Sequence, residues 1–316
     1  MTAALRAILY YIFLFAKGLC IGATGILQGI SGGSMALLLG VHQELLYSIR
    51  AIDTKSLRPD RARKFGASWK ENNGGFLITI LGGISIGLVT LRAIFSYYFT
   101  LYPILISSFL LSLVIIAALL LLRKITRWNP GVVLCVLAGC CLTYFLTLAP
   151  PFTTPANPFF GFLSGFLAGA TFIVPGVSGA FILMFVGKYQ YILASFSSLE
   201  FYVIILFIAG GLLGFIIFAK VIAALLSKYY NATVALFAGL MIGSLNKIWP
   251  WREVIEYATT MEGRRIPTFD KSILPWRYMD ITGKDPQVFY AILMMASGVF
   301  MVVLIEKIAA RLKTKS

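Results

Sequence analysis

The sequence predicts an all-α polytopic membrane protein with an inverted-topology internal repeat, in which each half has a broken re-entrant helical hairpin plus spanning helices. Three observations lead to this fold class. First, 59% of the 316 residues are hydrophobic and only 12% are charged, whereas a soluble domain carries about 25% charged residues. Second, several apolar runs reach the roughly 20 residues that a helix needs to cross a bilayer. Third, one glycine- and serine-rich motif occurs twice.

The apolar segments divide the chain into two similar halves within a single integral membrane domain, 1–316. The segments long enough to span are 76–99, 102–122, 131–149, 201–226, 231–248 and 288–306. Repeat one covers about 5–122 and repeat two about 131–248. An extracytoplasmic loop, 249–287, and a final spanning helix, 288–306, complete the chain.

The basic residues orient this arrangement. The chain has 27 Lys and Arg against 12 acidic residues, a net charge of +15. In so apolar a chain we attribute this excess to the positive-inside bias of cytoplasmic loops rather than to nucleic acid, and we expect no nucleic-acid partner. Segment 49–74 has seven basic and three acidic residues and is therefore placed in the cytoplasm. Counting the crossings then puts 150–158 and 249–287 outside.

Two further apolar segments, 18–48 and 159–196, are interrupted by glycine-rich turns. Each part is only about 10–16 residues long, too short to cross the hydrocarbon at 1.5 Å per residue. Interrupted helices of this kind indicate re-entrant hairpins. Their irregular backbone is tolerated only where protein buries it or where it lines a cavity.

The two interrupted segments are related in sequence. Residues 18–40 align without gaps on 165–187, and nine of the 23 positions are identical. A second match, between 81–95 and 209–223 at a shift of 128, places Arg92 opposite Lys220. With the crossings counted above, the first hairpin enters from the cytoplasm and the second from outside, the plan of secondary transporters with a midplane site. Coincidence between two glycine-rich apolar segments is the alternative.

The turns at 28–34 and 175–180 predict an anion site near the bilayer centre. Glycines leave backbone N–H groups uncovered, serines cap the following helix or donate to a ligand, and a helix N-terminus attracts negative charge. The residues assigned to this site are Gly29, Ser31, Gly32, Gly33, Ser34, Gly176, Ser178 and Gly179. The alternative is that the glycines only permit close helix packing.

Four basic residues in or beside apolar segments, Lys17, Arg92, Lys188 and Lys220, are added to the site. An unpaired cation in the hydrocarbon costs at least about 2.5–3.5 kcal/mol and normally faces a cavity or a partner. For Arg92 and Lys220 the alternative is that the side chain extends to the headgroup region. His42 and Glu44 are candidates for proton coupling, or simply an interfacial polar pair.

The residues predict no enzyme activity, no cofactor and no metal site. The four cysteines lie in apolar stretches without metal-ligand spacing and are expected to pack as small apolar residues. A membrane phosphatase would need paired carboxylates near the turn and an arginine beside the motif serine. Glycines follow Ser31 and Ser178 instead, and Glu44 has no acidic partner four residues away.

Three segments resemble bacterial PopT-type undecaprenyl-phosphate translocases. They are GATGILQGISGGSMALLLGVHQELL (22–46), PGVSGAFILMFVGKYQYIL (175–193) and LFAGLMIGSLNKIWPW (236–251). The resemblance implies a flippase of the bacterial cytoplasmic membrane that returns undecaprenyl phosphate, or a similar polyprenyl phosphate, to the cytoplasmic leaflet for envelope glycan synthesis. Membrane lipids are then its other partners. Gln28 stands where the family's first signature has proline, Gly25 where it has an acid or amide, and His42 where it has tyrosine.

Two other functions remain open at this point. A transporter of small soluble anions would use the same cationic midplane, and an integral membrane undecaprenyl-pyrophosphate phosphatase also has serine- and glycine-rich re-entrant motifs. The sequence also leaves open whether the tryptophans of loop 249–287 belong to a lid or to an interfacial aromatic belt.

Overall fold

The described part of the first half of the chain contains five helices of sharply different lengths. The computed structural model describes residues 3–24, 31–50, 73–152, 154–155, 157–259 and 265–313. In the first half lie α1 (Ala3–Thr24), α2 (Gly32–Leu38), α3 (His42–Arg50), α4 (Gly74–Leu101) and α5 (Pro103–Arg123). Helix α6 (Pro130–Leu148) follows and connects the two halves.

The second half begins with another five helices, and a small unit with a β-hairpin follows them. The helices are α7 (Pro158–Ile173), α8 (Gly179–Phe185), α9 (Tyr189–Ser197), α10 (Phe201–Lys228) and α11 (Tyr230–Ile248). An antiparallel hairpin of β1 (Arg252–Thr259) and β2 (Arg265–Ser272), helix α12 (Pro275–Thr282) and helix α13 (Val288–Lys313) complete the described chain.

Local sequence signals set the starts of α6 and α7. The side chains of Asn129 and Asn157 accept hydrogen bonds from the N–H groups of Val132 (2.9 Å) and Phe160 (3.0 Å), and a proline occupies the first helical position in both cases. A side-chain acceptor satisfies a backbone donor that the helix leaves unpaired, and proline has no N–H to satisfy.

The structure is that of a multi-pass membrane protein. Among the described residues, α5, α6 and α10 are long and apolar enough to cross a bilayer, and a fourth span results if α8 and α9, bent by 108°, count as one. The other predicted spans, 76–99, 231–248 and 288–306, fall within α4, α11 and α13. Large apolar side chains such as Phe145 and Phe201 are exposed on these helices. Such surfaces are stable when lipid covers them.

Helices of the two halves match in length and in the way they end. α2 and α8 have seven residues each, α3 and α9 nine, and α4 and α10 twenty-eight. Gly40 (φ 71°) and Gly187 (φ 66°) end the two shortest helices in the left-handed conformation. The N–H after each glycine donates to the carbonyl five positions earlier, at 2.9 and 2.8 Å, which is the Schellman motif.

Glycines let the long helices of each half pack with their backbones in contact. α1 packs along α4, and α7 along α10. A Cβ atom on Gly18 would lie 2.5 Å from the carbonyl oxygen of Ile80, and one on Gly165 would collide with the carbonyl of Phe207. The glycines at these two interfaces are Gly18, Gly22, Gly83, Gly87, Gly165, Gly169, Gly210 and Gly214. Close backbone contact between small residues stabilises helix pairs in a membrane.

These contacts correct the predicted pairing of Arg92 with Lys220. Ile80 faces Gly18 as Phe207 faces Gly165, so the long helices correspond at a shift of 127 rather than 128. Lys220 then corresponds to Ala93. Arg92 precedes Ala93 and therefore lies about 100° from it around the helix axis. The prediction was wrong because the sequence alignment matched both glycines of each adjacent pair, which gives the most identical positions. In the structure only one glycine of each pair meets the backbone of the neighbouring helix closely.

Helix α11 lies at the centre of the structure. It packs against both α5 and α6, and its apolar residues from Val234 to Met241 are largely buried. The strand β1 begins four residues after α11 ends, and Arg252 pairs with Ser272 across the hairpin. The hairpin is therefore attached directly to α11.

Candidate functional site

Two serines organise the break between α1 and α2. Ser31 is the N-cap of α2, and its Oγ accepts a hydrogen bond from the N–H of Ser34 at 3.1 Å. The hydroxyls of Ser31 and Ser34 lie 3.0 Å apart, and both side chains are buried. Buried hydroxyls of this kind need partners, and the second break of the chain provides one.

The two breaks meet in the interior. The N–H of Gly176 donates to Ser31 Oγ (3.2 Å) and to Ser34 Oγ (3.0 Å). Gly176 has a φ of 89°, and a Cβ atom there would lie 2.6 Å from the backbone nitrogen of Met241 in α11. Only glycine fits such a conformation and such a contact. The amide expected to be uncovered is therefore already paired with the serines of the other break.

The remaining described glycines of the motifs are packing positions. A Cβ atom on Gly32 would lie 2.6 Å from the ring of Phe172, one on Gly33 2.6 Å from the carbonyl oxygen of Ile173, and one on Gly179 3.1 Å from that of Ala168. These contacts favour the packing interpretation for the three positions. Gly29 lies outside the described residues.

A small cleft lies beside the junction, between α6, α11 and the start of α8, and most of its exposed lining is apolar. The space between its walls, counted out to open solvent, is about 270 Å³. Its lining residues are Thr143, Leu146, Thr147, Gly176, Val177, Ser178, Phe181, Ser244 and Lys247. The polar groups of this lining are one ammonium group and several hydroxyls, and the hydroxyls of Thr143, Thr147 and Ser244 donate to backbone carbonyls. The ammonium of Lys247 is the group that attracts an anionic ligand. Of the predicted site residues, Gly176 and Ser178 line the cleft.

Lys247 was not predicted from the sequence. Its Nζ donates to Asp270 Oδ1 at 2.7 Å and lies 5.7 Å from the centre of the Phe181 ring. Only 10% of its side chain is exposed. The available signal was a lysine within LFAGLMIGSLNKIWPW, one of the segments that carry the family resemblance.

Asp270, on β2, is shared between two cations. Arg252 binds both carboxylate oxygens, with its Nε 2.6 Å from Oδ2 and its Nη2 2.8 Å from Oδ1. Burial by itself would raise the pKa of the Asp270 carboxyl, but the hydrogen bonds and charges of Arg252 and Lys247 hold this pKa below its ordinary value. Asp270 is therefore a carboxylate at neutral pH.

The base of the hairpin is attached to α11 next to the cleft. Arg252 Nη1 and Ser272 Oγ both donate to the carbonyl oxygen of Asn246, at 2.6 and 2.8 Å. The side-chain amide of Asn246 donates in turn to Thr147 Oγ1 at 2.7 Å. This chain of hydrogen bonds connects the hairpin with a residue of the cleft wall.

The lysines predicted for the site do not line the cleft. Lys188 is buried, with its Nζ donating to the carbonyl oxygens of Thr154 (2.8 Å) and Pro155 (2.5 Å). Lys17 in α1 and Lys220 in α10 are partly buried, and neither belongs to the cleft lining.

The Arg92 side chain lies outside what the structure describes, although the residue belongs to α4. Its predicted role in the site stays a prediction.

His42 connects the first hairpin to the second break. The ring is 3% exposed, and Nε2 lies 3.1 Å from the carbonyl oxygen of Ile173, so that Nε2 carries the hydrogen and donates it. The ring also meets Phe237 edge-on, with 6.2 Å between centroids. Glu44 is partly buried and lies two positions after His42 in α3. Proton coupling by His42 and Glu44 stays a prediction.

Two tryptophans of loop 249–287 pack into a small core that the loop shares with Ile104 of α5 and Ala291 of α13. Trp249 Nε1 donates to the carbonyl oxygen of Ile273, and Trp251 Nε1 to that of Pro286, both at 2.8 Å. Trp276 is 66% exposed at the start of α12. The first two residues therefore stabilise the attachment of the loop, and the interfacial role of Trp276 stays a prediction.

Comparison with known proteins gives the family. The profile of the VCA0040-like family, described as undecaprenyl phosphate translocase-like, matches residues 21–266. The chain belongs to this family. The resemblance found in the sequence motifs is thereby confirmed, and the matched range includes both breaks, the cleft and the first strand of the hairpin.

Two curated relatives extend the comparison. A polyprenyl-phosphate transporter of Vibrio cholerae is 31% identical over 301 residues, which cover 95% of this chain and 98% of the relative. A polyprenyl-phosphate transporter of Staphylococcus aureus is 28% identical over 253 residues, covering 74% of this chain and 84% of the relative. No solved structure matches the chain significantly.

Proposed function

We propose that the chain is a flippase for undecaprenyl phosphate or a similar polyprenyl phosphate in the bacterial cytoplasmic membrane. It returns the carrier from the outer to the cytoplasmic leaflet, where envelope glycan synthesis reuses it. Family membership and the two relatives named polyprenyl-phosphate transporters support the substrate class. The proposed direction is the one that the family resemblance implies. It is supported by the position of the cleft near loop 249–287, which counting the crossings places on the outer side.

The physical task fits a protein of this design. The polyprenyl tail stays in hydrocarbon throughout, whereas an unshielded phosphate at low dielectric costs tens of kcal/mol by Born estimates. A flippase has only to shield the headgroup along one path. A cleft with hydroxyls and an ammonium, next to the point where both helix breaks meet, supplies such shielding.

We further propose that the two halves are an inverted repeat with re-entrant hairpins. Equal lengths of three helix pairs, the shared Schellman ends and the glycine interfaces at a constant shift support the duplication. The 108° bend between α8 and α9 supports a re-entrant second hairpin. Alternating access would then arise from movement of one half against the other.

The observation that carries the proposal is the contact between the breaks, with Gly176 N–H bound to Ser31 and Ser34 beside a cleft that contains the ammonium of Lys247. Ser178 is the predicted motif serine that lines this cleft. A hydrogen bond to a charged group is worth about 1.5–3 kcal/mol, so that loss of the Ser178 hydroxyl should slow transport roughly tenfold or more.

The test measures undecaprenyl phosphate accessible at the outer surface of cells that depend on this chain, with expression checked for every variant. Ser178→Ala should leave more of the lipid exposed. Ser197→Ala is the matched control, because Ser197 is exposed in α9 and bonds only to the carbonyl of Leu193 in its own helix. Normal clearance by Ser178→Ala would contradict a headgroup role for this serine.

The alternatives have their own readouts. Release of inorganic phosphate from undecaprenyl pyrophosphate by the purified chain would indicate the phosphatase. Uptake of inorganic phosphate into vesicles, without movement of the lipid, would indicate the small-anion transporter.

A further inference from the structure

We infer that Lys247 is the cation that binds the substrate phosphate, and that Asp270 of the hairpin is an internal anion that occupies Lys247 until the headgroup arrives. This inference rests on the proposed function and adds to it a binding residue and a resident competitor. It starts from the lining of the cleft, in which Lys247 is the one charged side chain.

The position of Lys247 suits an anion held in the cleft. Ser178 and Ser244 belong to the same lining, and both are buried. An ammonium group has three N–H donors, of which the structure assigns one to Asp270 Oδ1. A phosphate in the cleft would therefore meet a nearly buried cation, in surroundings that strengthen charge-assisted hydrogen bonds.

The charges of the cluster are unbalanced. Lys247 and Arg252 carry two positive charges, and among the described residues Asp270 carries the one negative charge within ion-pair distance of them. The excess of one positive charge is the charge that a phosphate monoanion would neutralise. The cluster therefore favours the arrival of one more anion.

Arg252 makes the exchange feasible. Its Nε and Nη2 bind the two oxygens of Asp270 in the bidentate geometry that suits guanidinium and carboxylate. Asp270 therefore keeps two charged hydrogen bonds when Lys247 turns to the phosphate. The hairpin gives up one contact with α11 and no carboxylate is left unpaired, so that headgroup binding releases one of the hairpin's attachments.

The test is the affinity of the purified chain in nanodiscs for undecaprenyl phosphate, with undecaprenol as the uncharged probe. Lys247→Met should weaken binding of undecaprenyl phosphate roughly tenfold or more. Asp270→Asn should tighten it several-fold, because the resident competitor is neutralised. Binding of undecaprenol should be unchanged in both variants. Opposite effects of the two substitutions distinguish a Lys247 that exchanges Asp270 for phosphate from a Lys247 whose ion pair with Asp270 is merely structural.

Lys271→Met is the matched control. Lys271 is exposed on the same strand, next to Asp270, and the substitution removes the same charge without touching the cleft. It should bind undecaprenyl phosphate as the wild-type chain does. Wild-type affinity in Lys247→Met, an equal loss in Lys271→Met, or weaker binding in Asp270→Asn would each overturn the inference.

A measurement on the unaltered chain covers the case in which Asp270→Asn does not fold. Hydrogen exchange of the strands 252–259 and 265–272 should increase on addition of undecaprenyl phosphate and stay constant with undecaprenol. Unchanged or slower exchange with the phosphate lipid would contradict release of the hairpin contact.

Failure of the proposed function has a different signature. If the wild-type chain binds inorganic phosphate in a Lys247-dependent way and does not bind undecaprenyl phosphate, the cation is assigned correctly and the lipid substrate is wrong. If millimolar inorganic phosphate does not displace undecaprenyl phosphate, the lipid is the source of the bound group.

Discussion

The junction between the two breaks predicts a non-additive pair of substitutions. Ser34→Ala removes one acceptor of the Gly176 N–H, but Ser31 Oγ remains at 3.2 Å, so that the expected loss of stability is about 1 kcal/mol. Ser31→Ala removes the N-cap of α2 and leaves Ser34 Oγ at 3.0 Å from the same nitrogen, again a loss of about 1 kcal/mol.

The double variant should lose more than the sum. With both hydroxyls absent, the buried Gly176 N–H has neither of its acceptors, and an unsatisfied buried donor costs about 1–3 kcal/mol beyond the single effects. The coupling energy of the cycle should therefore be about 1–3 kcal/mol. Its physical source is the orphaned amide and not the serines themselves.

The assay is reversible unfolding of the purified chain in mixed micelles for the wild type, the two single variants and the double variant. Ser108→Ala serves as the control, because Ser108 is fully buried but donates only to the carbonyl of Ile104 in its own helix. An additive cycle, within about 0.5 kcal/mol, would refute the reasoning. The breaks would then be joined by contacts other than these hydrogen bonds.

Three further predictions test other parts of the structure. Gly83→Ala should destabilise the α1–α4 pair by roughly 1 kcal/mol or more, which is the cost of overpacking. Gly82→Ala is the control, because a Cβ atom there has nothing within 4 Å, and it should be neutral or slightly stabilising in the same unfolding assay. Equal effects of the two substitutions would contradict the register of α1 on α4. Gly40→Ala should cost about 1–2 kcal/mol from its left-handed backbone alone, and an unchanged unfolding midpoint would contradict the Schellman end. Because the folded-state pKa of Asp270 lies below its ordinary value of 3.8, its ion pairs stabilise the chain fully above that value and lose this effect as the pH falls through the folded pKa. Asp270→Asn should flatten the dependence of thermal stability on pH in the acidic range, and an unaltered profile would contradict the ion-pair assignment.

The sequence predicted the long helices closely because length and apolarity determine them. The segments 102–122 and 131–149 became Pro103–Arg123 and Pro130–Leu148, and in both cases a proline occupies the first turn, as expected of helix starts. The breaks were predicted from glycine and serine spacing for the same reason. These features are local, and a single stretch of sequence contains all the information that they need.

The parts of the site that were missed depend on contacts between distant residues. Lys247 and Asp270 are 23 positions apart, and their contact depends on a strand pairing that had been treated as an undivided loop. Lys188 was predicted to face the substrate, but the chain folds so that backbone carbonyls of the preceding loop bind its ammonium. The identity of a residue indicates that a charge needs a partner. It does not indicate which of several partners the fold supplies.

The cation and the carboxylate of the ion cluster lie on elements that are packed differently. Lys247 belongs to α11, whose Gly239 and Gly243 meet the backbone of α6 so closely that a Cβ atom on either would collide with it. The cation is therefore fixed relative to the cleft. Its counter-ion lies on the hairpin, outside these helix interfaces, and the base of the hairpin is bonded to α11 through Arg252 and Ser272. A buried ammonium without any anion is costly, so a resident carboxylate stabilises the substrate-free state. A carboxylate on a spanning helix would do this equally well, but its displacement would require the helices themselves to separate. A carboxylate on the hairpin gives way to a phosphate while Arg252 keeps it paired, and this is the arrangement that a binding site for an anionic headgroup requires.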